Sequence, residues 1–231
     1  MAVRPVYVPM SSGLVLVDTQ MIDFTWHSGQ SKSQKQKSIF NLHKNAKHQL
    51  ELNSILEVSS KSIDPTGSAL SAFNLSYKGQ NLTSVECIYQ ASKVFENGGA
   101  FRDLANGSSL DAKRDYRLKS SGRLIKFTSF SGEDWPLNPL SFYYDWVYLN
   151  VLSGNPDLHE TLNNFNAFTD IEFNPKRSFN CQAYSVALFC ALKSRKLINE
   201  VLKSRVRYEQ ILNEYVVVSA EENNFINPKL I

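Results

Sequence analysis

The spacing of hydrophobic positions changes several times along the chain, and each change marks an element. Residues 7–26 are rich in Val, Leu and Ile around Ser11-Ser12-Gly13, which predicts a strand, a turn and a second strand. A run carrying five lysines from Lys32 to Lys47 follows, with Ile39, Leu42, Ala46 and Leu50 at helical spacing, so a basic loop is expected to run into a helix. Residues 54–62 read as a short strand and Asp64-Pro65-Thr66-Gly67 as a turn. Val85, Ile88, Ala91 and Phe95 then mark one buried face of a helix, with Thr83 or Ser84 as its N-cap and Asn97-Gly98-Gly99 as its stop. Residues 111–127 read as a short basic helix. Past Pro139, the positions Phe142, Trp146, Leu149 and Leu152 predict another helix, closed by Gly154-Asn155-Pro156. A short helix over 158–165 and a brief strand over 169–173 follow, the latter leaving Glu172 at a strand end beside a turn. The apolar stretch 181–192 and its charged continuation to Tyr208 predict long helical structure, and a loose tail is expected from Glu221.

Polar positions inside the helix predicted after Ser84 carry the candidate chemistry. Steps of four and three residues put Glu86, Gln90 and Lys93 on one side of two turns, with about 10 Å of rise between the acid and the amine. That is too far for direct pairing, but such a stripe can line a groove that holds a sugar and its leaving group. The same spacing also describes an ordinary solvated helix face. Lys113, Arg114, Arg117, Lys119, Arg123 and Lys126 form the densest basic stretch in the chain, either another solvated face or an edge turned toward phosphates.

Composition narrows the picture. With 231 residues, 42% of them hydrophobic and 12% aromatic, the chain can bury one substantial core, so one domain is expected. A net charge of +3 suits an anionic ligand but is far from that of a protein that coats duplex DNA. Cys87, Cys181 and Cys190 have no CxxC spacing, which argues against a disulfide framework or zinc knuckle and suits a reducing cytoplasm. His27, His43, His48 and His159 form neither HxxxH nor HExxH, so no metal is expected. No GxSxG elbow, phosphate-binding GxxxxGKS loop or GxGxxG turn occurs. The opening MAVRPVYVPMSSG lacks a basic region followed by a long apolar run, and no segment reaches the roughly 18 apolar residues of a membrane span.

The segment LSAFNL followed by SVECIYQASKVF resembles the signature of NADAR domains. The matching features are Leu70-Ser71, Phe73, Glu86, Gln90-Ala91, Lys93 and Phe95. Asp145-Trp146, NPDLHETL and the strand bearing Glu172 recur in the family's order, so the likeness spans about residues 60 to 205. Cys87 stands where histidine is usual, Ala72 where asparagine is usual, and FNPKRSFNCQA where many members have a Trp-Gly-rich turn. RPVYVP, QKQKSIFNLH and IEFNPKRSFNCQA are more similar to the branch paired with DarT-type DNA ADP-ribosyltransferase toxins, in which the NADAR protein is the antitoxin.

The resemblance implies an α+β, predominantly helical fold: a NADAR (YbiA-like) helical core over 61–220, a small N-terminal β/helix extension over 1–60 packed on it, and a tail over 221–231. It implies an N-glycosyl hydrolase, needing no cofactor, that removes ADP-ribose from guanine in single-stranded DNA. ADP-ribose would be its product and a cognate DarT-type toxin its functional partner, with a cytoplasmic monomer expected and no membrane. The expected catalytic residues are Lys93, Glu86 and Glu172, and the expected substrate contacts are Ser71, Phe73, Asn74, Gln90, Arg114, Trp146 and Asn180. Cleaving an N-glycosidic bond builds positive charge at the anomeric carbon, which a nearby carboxylate stabilises. Lys93 can serve as a Schiff-base nucleophile if burial or nearby cations, such as those of the helix bearing Arg114, lower its pKa; otherwise it contacts phosphate or sugar while a carboxylate activates water. Trp146 suits core packing or purine stacking, and backbone N–H groups near Gly98-Gly99 could assist phosphate binding. A noncatalytic toxin-binding antitoxin and a hydrolase of riboflavin-pathway glycosylamines are the alternatives.

Overall fold

The computed structural model describes residues 1–77, 83–176 and 178–215. The expected N-terminal hairpin forms from β1 (Ala2–Pro9) and β2 (Val17–Phe24), paired antiparallel from Ala2↔Phe24 to Pro9↔Val17. Its loop is held by Arg195, whose guanidinium donates to the carbonyls of Met10, Ser12, Gly13 and Val15. Helix α1 (Lys32–Leu50) starts at the Ser31 cap and buries Ile39, Leu42 and Ala46, as their spacing predicts. Strand β3 (Ile55–Glu57) follows. The Asp64-Pro65-Thr66-Gly67 turn is instead the start of helix α2 (Pro65–Ala69): Asp64 caps the Thr66 N–H and proline occupies the first turn, where its missing N–H costs nothing.

Helix α3 (Val85–Ala91) begins at Ser84, whose hydroxyl accepts the Cys87 N–H, but it stops a turn earlier than its apolar spacing predicts. The Ser92 hydroxyl donates back to the Ile88 carbonyl and lies 2.7 Å from the Tyr143 hydroxyl, while the Ser92 carbonyl accepts the Thr128 N–H. The chain therefore leaves the helix as strand β4 (Lys93–Phe95), and Lys93 is a strand residue. Asn97-Gly98-Gly99 does not end a helix. Strand β5 (Gly98–Gly99) folds back on β4, and a Cβ on Gly99 (φ +153°) would stand 2.6 Å from the Val94 Cα.

The stretch expected as one basic helix divides after a 3₁₀ turn (Arg102–Asn106) into α4 (Ser109–Arg114), α5 (Arg117–Ser120) and β6 (Leu124–Thr128), followed by β7 (Asp134–Trp135). β6 runs antiparallel to β4, which turns a locally charged sequence into a strand by long-range pairing. Helix α6 (Phe142–Ser153) is buried on nearly all sides rather than on one face. α7 (Pro156–Leu162) and β8 (Ala167–Thr169) follow, the strand ending before Glu172. The expected C-terminal helical structure is α8 (Gln182–Ser194), α9 (Ile198–Val201) and α10 (Arg205–Asn213). The expected tail lies outside the described residues.

Among the described residues two four-stranded sheets result, ordered β2-β1-β8-β3 and β5-β4-β6-β7, so the architecture is mixed α+β with more sheet than the expected small N-terminal β element. β8 pairs antiparallel with β1 at Tyr7↔Phe168 and parallel with β3 from Ile55↔Ala167 to Glu57↔Thr169. The N-terminal hairpin thus shares a sheet with strands 55–57 and 167–169. Alternation along these strands separates two cores. Val6, Ile55 and Ala167 pack with Ile39, Leu42 and Ala46, whereas Tyr7, Leu56 and Phe168 pack with Tyr184, Ala187 and Leu188. A third cluster, Cys87, Ala91, Leu104, Ala105 and Ala112, fastens α3 to α4. Among the described residues no helix is long and apolar enough to cross a membrane.

Candidate active site

A cavity of about 840 Å³ opens between α3, α4, the 59–61 segment and the 170–182 segment. Helix α3 forms one wall, anchored by backbone bonds from Val85 N–H to the Leu75 carbonyl and from Glu86 N–H to the Ala72 carbonyl. Ala72 N–H in turn donates to Gln182 Oε1 at 2.7 Å, which ties the Ser71–Phe73 loop to the start of α8. The three candidate catalytic residues, Glu86, Lys93 and Glu172, all line this cavity, as do Ser71, Phe73, Gln90, Arg114 and Asn180. Two expected contacts do not. Trp146 packs 5.2 Å from the rings of both Trp135 and Tyr208, and Asn74 is exposed with its amide donating to the Ser68 carbonyl. Gly98 and Gly99 are also outside the lining.

Glu86 is 6% exposed, and its Oε1 accepts 2.9 Å from Gln90 Nε2, with Lys113 Nζ 4.0 Å away. Lys93 reaches the same cavity from β4, its ammonium 4.8 Å from the centre of the Tyr89 ring. Burial pulls the Lys93 pKa down to about 8, opposed by the negative charge of Glu86 and assisted by Lys113, rather than Arg114, from the basic segment. Arg114 is an exposed cation of the cavity wall, and Lys113 lies 5.0 Å over the Phe73 ring. Ser71 Oγ, Gln90 Oε1 and Asn180 Oδ1 are buried without a hydrogen-bond partner among the described residues. Leaving such atoms unpaired costs about 1–3 kcal/mol each. All three belong to side chains that line this cavity.

Glu172 is held by the N-terminal element: its Oε1 lies 3.1 Å from Lys35 Nζ, and that ammonium also stands over the Trp26 ring at 4.7 Å. Beside it is Asp170, a carboxyl outside the set of expected site residues. Asp170 accepts the N–H groups of Glu172 and Phe173 and bonds the Gln182 side chain, and burial holds it well above the usual carboxylate range. Tyr89, Tyr144 and Gln182 also line the cavity and were not anticipated; Asn180 hydrogen-bonds the Tyr89 phenol. One signal was available, since Asp170 directly follows an apolar strand, where an unpaired carboxylate is costly.

Beneath Asp170, Glu57 closes a buried polar chain. Its Oε1 accepts the Ser59 hydroxyl at 2.6 Å and the Ile171 N–H at 2.8 Å, and its Oε2 meets the Thr169 hydroxyl, itself 2.8 Å from His43 Nε2. Burial, reinforced by Asp170, raises the Glu57 pKa far above its ordinary value of 4.5, and burial lowers that of His43 to about 4. Because the folded state prefers protonated Glu57, this stabilisation is complete below the ordinary carboxylate range and is lost as pH rises through neutrality. Glu57→Gln retains the hydrogen-bonding pattern of the neutral acid. It is expected to unfold within about 1 kcal/mol of the parent at pH 5 and to exceed it at pH 8.5. Urea titrations across that range check this; parallel pH slopes for both proteins would contradict it.

A mixed α+β frame thus carries a cavity lined by a buried carboxylate, a desolvated lysine and further polar side chains. The chain belongs to the family of DarT1-associated NADAR antitoxins, whose model matches residues 2–222. No curated protein matches it significantly. Among the described residues no cluster of three or more His, Cys, Asp or Glu side chains is arranged to hold a metal.

Proposed function

We propose that this antitoxin is an N-glycosyl hydrolase that removes ADP-ribose from the exocyclic amine of guanine in single-stranded DNA, reversing the modification made by its toxin. The observation that carries the reading is Lys93, a half-buried amine with its pKa near 8 that shares a cavity with buried Glu86. At pH 7 about one Lys93 in ten is neutral, against fewer than one in a thousand for an ordinary lysine. The cavity has room for a dinucleotide-sized ligand. Lys113 and Arg114 supply positive charge for a pyrophosphate, and Ser71, Gln90 and Asn180 are polar residues of the same lining for sugar or base.

The exocyclic nitrogen's lone pair opens the ribose by expelling the ring oxygen, which takes up a proton and leaves an iminium at the anomeric carbon. Neutral Lys93 adds to that carbon, and the guanine amine departs after receiving a proton, leaving a Schiff base between Lys93 and opened ADP-ribose. Water adds to the Schiff base, expels the lysine amine and yields the aldehyde, which recloses as ADP-ribose. Glu86 stabilises positive charge at the anomeric carbon, while Glu172 and the raised Asp170 exchange protons with the leaving amine and incoming water.

A cation that only holds a phosphate needs no lowered pKa, so the desolvation of Lys93 favours turnover over capture alone. The test is release of ADP-ribose and unmodified guanosine from ADP-ribosylated guanosine. Glu86→Gln, which keeps the Gln90 contact, is expected to lower kcat about 10²-fold or more with an unchanged melting temperature. No release by the parent protein, with tight toxin binding, would leave the noncatalytic reading instead.

A further inference from the structure

If the modified base enters the cavity, its neighbours in the strand must leave through the mouth and cross the surrounding surface. The outer face of α1 carries Lys37, Phe40, Lys44 and Lys47 at steps of three, four and three residues, one exposed stripe about 15 Å long. None of these lysines has an ion-pair partner among the described residues, and no acidic residue occurs from Lys32 to Leu50. Phe40 is 67% exposed within the stripe and Ile63 75% exposed beside it, an unusual placing for large apolar side chains. Together they line a second cavity of about 360 Å³ with Lys37, Asn41 and His27, the last two joined by a 2.7 Å hydrogen bond.

One segment, residues 59–63, links this stripe to the first cavity. Ser59, Ser60 and Lys61 line the first cavity, Ile63 lines the second, and Gln36 Nε2 on α1 donates to the Lys61 carbonyl. Lysines that track a backbone, broken by an aromatic face, are the elements of a single-strand binding groove. We infer that the outer face of α1 binds the strand flanking the modified base, with Lys37, Lys44 and Lys47 on phosphates and a flanking base stacked on Phe40 in the second cavity. This rests on the hydrolase reading for its ligand, but its test does not need turnover.

The probe is a fluorescein-labelled, unmodified single-stranded 12-mer, titrated by anisotropy over a salt series. The triple variant Lys37→Gln, Lys44→Gln and Lys47→Gln is expected to bind it about tenfold or more weakly and to lower the log–log salt slope by about 2. Phe40→Ala is expected to weaken binding about tenfold with the slope retained. Hydrolysis of ADP-ribosylated guanosine, which is too small to reach the stripe, stays at the parent level. Equal affinities and slopes for parent and variants overturn the inference. So does a triple variant that binds DNA normally but has lost the toxin, since α1 would then be a protein interface. A parent that binds the 12-mer through this stripe yet hydrolyses nothing would refute the hydrolase reading and leave the surface standing.

Discussion

Lys93→Ala is expected to lower kcat on ADP-ribosylated guanine by on the order of 10³-fold or more, and Lys93→Arg to be equally inactive. The two substitutions separate the roles this amine can play. An amine that forms a Schiff base cannot be replaced by arginine, which stays charged, whereas a cation that only holds a phosphate can. Folding should survive both, because the structural work at this position is done by the main chain: Lys93 pairs with Phe127, and its carbonyl accepts the Ala100 N–H. Borohydride added during turnover is expected to fix ADP-ribose covalently to the parent protein and to neither variant, read by intact-mass spectrometry. The pH profile gives an independent check. Only the neutral amine adds to carbon, so kcat/KM should rise with pH and level off near 8, the value to which burial lowers Lys93. Full activity of Lys93→Arg would overturn the covalent route and leave direct attack by water activated at Glu172 or Asp170.

Gly67→Ala is expected to destabilise the protein by about 3 kcal/mol, at the upper end for overpacking, and to lower the melting temperature by about 6–12 °C. A Cβ at this position would stand 1.9 Å from the Glu57 carbonyl oxygen and 2.5 Å from Ser62 Oγ. Backbone cannot yield as the tip of a long side chain can, so α2 must move off β3. Ser71 and Phe73 follow α2 directly, and Glu57 carries the buried chain beneath Asp170, so KM is expected to rise as well. Gly107→Ala is the control. Its new Cβ meets nothing nearer than the Leu104 carbonyl at 3.8 Å, and a change within about 0.5 kcal/mol is expected. Similar melting temperatures for the two variants would show that α2 is not pinned against β3.

What the sequence determined by itself is what neighbouring residues settle among themselves. The N-terminal hairpin follows from its apolar runs around Ser11-Ser12-Gly13, α1 from its stripe of Ile39, Leu42 and Ala46, and the start of α3 from the Ser84 cap. The motif residues were legible too, and Ser71, Phe73, Glu86, Gln90, Lys93 and Glu172 share one cavity. Lys93 reaches it by a route the helical spacing did not describe. Helix α3 ends because Ser92 binds Thr128 and Tyr143, residues 36 and 51 positions away, and no local preference encodes those partners. The same pairing makes a strand of the charged segment containing Lys126. Asp170 and Glu57 became a buried acidic pair only when β8 was laid beside β3, because burial is a property of the packed chain that composition does not carry. Tertiary structure also decided Trp146, whose ring fits a purine or a core equally well until Trp135 and Tyr208 enclose it. Local sequence sets which elements can start, and the competition among distant hydrogen-bond partners and buried surfaces sets where they stop and what they face.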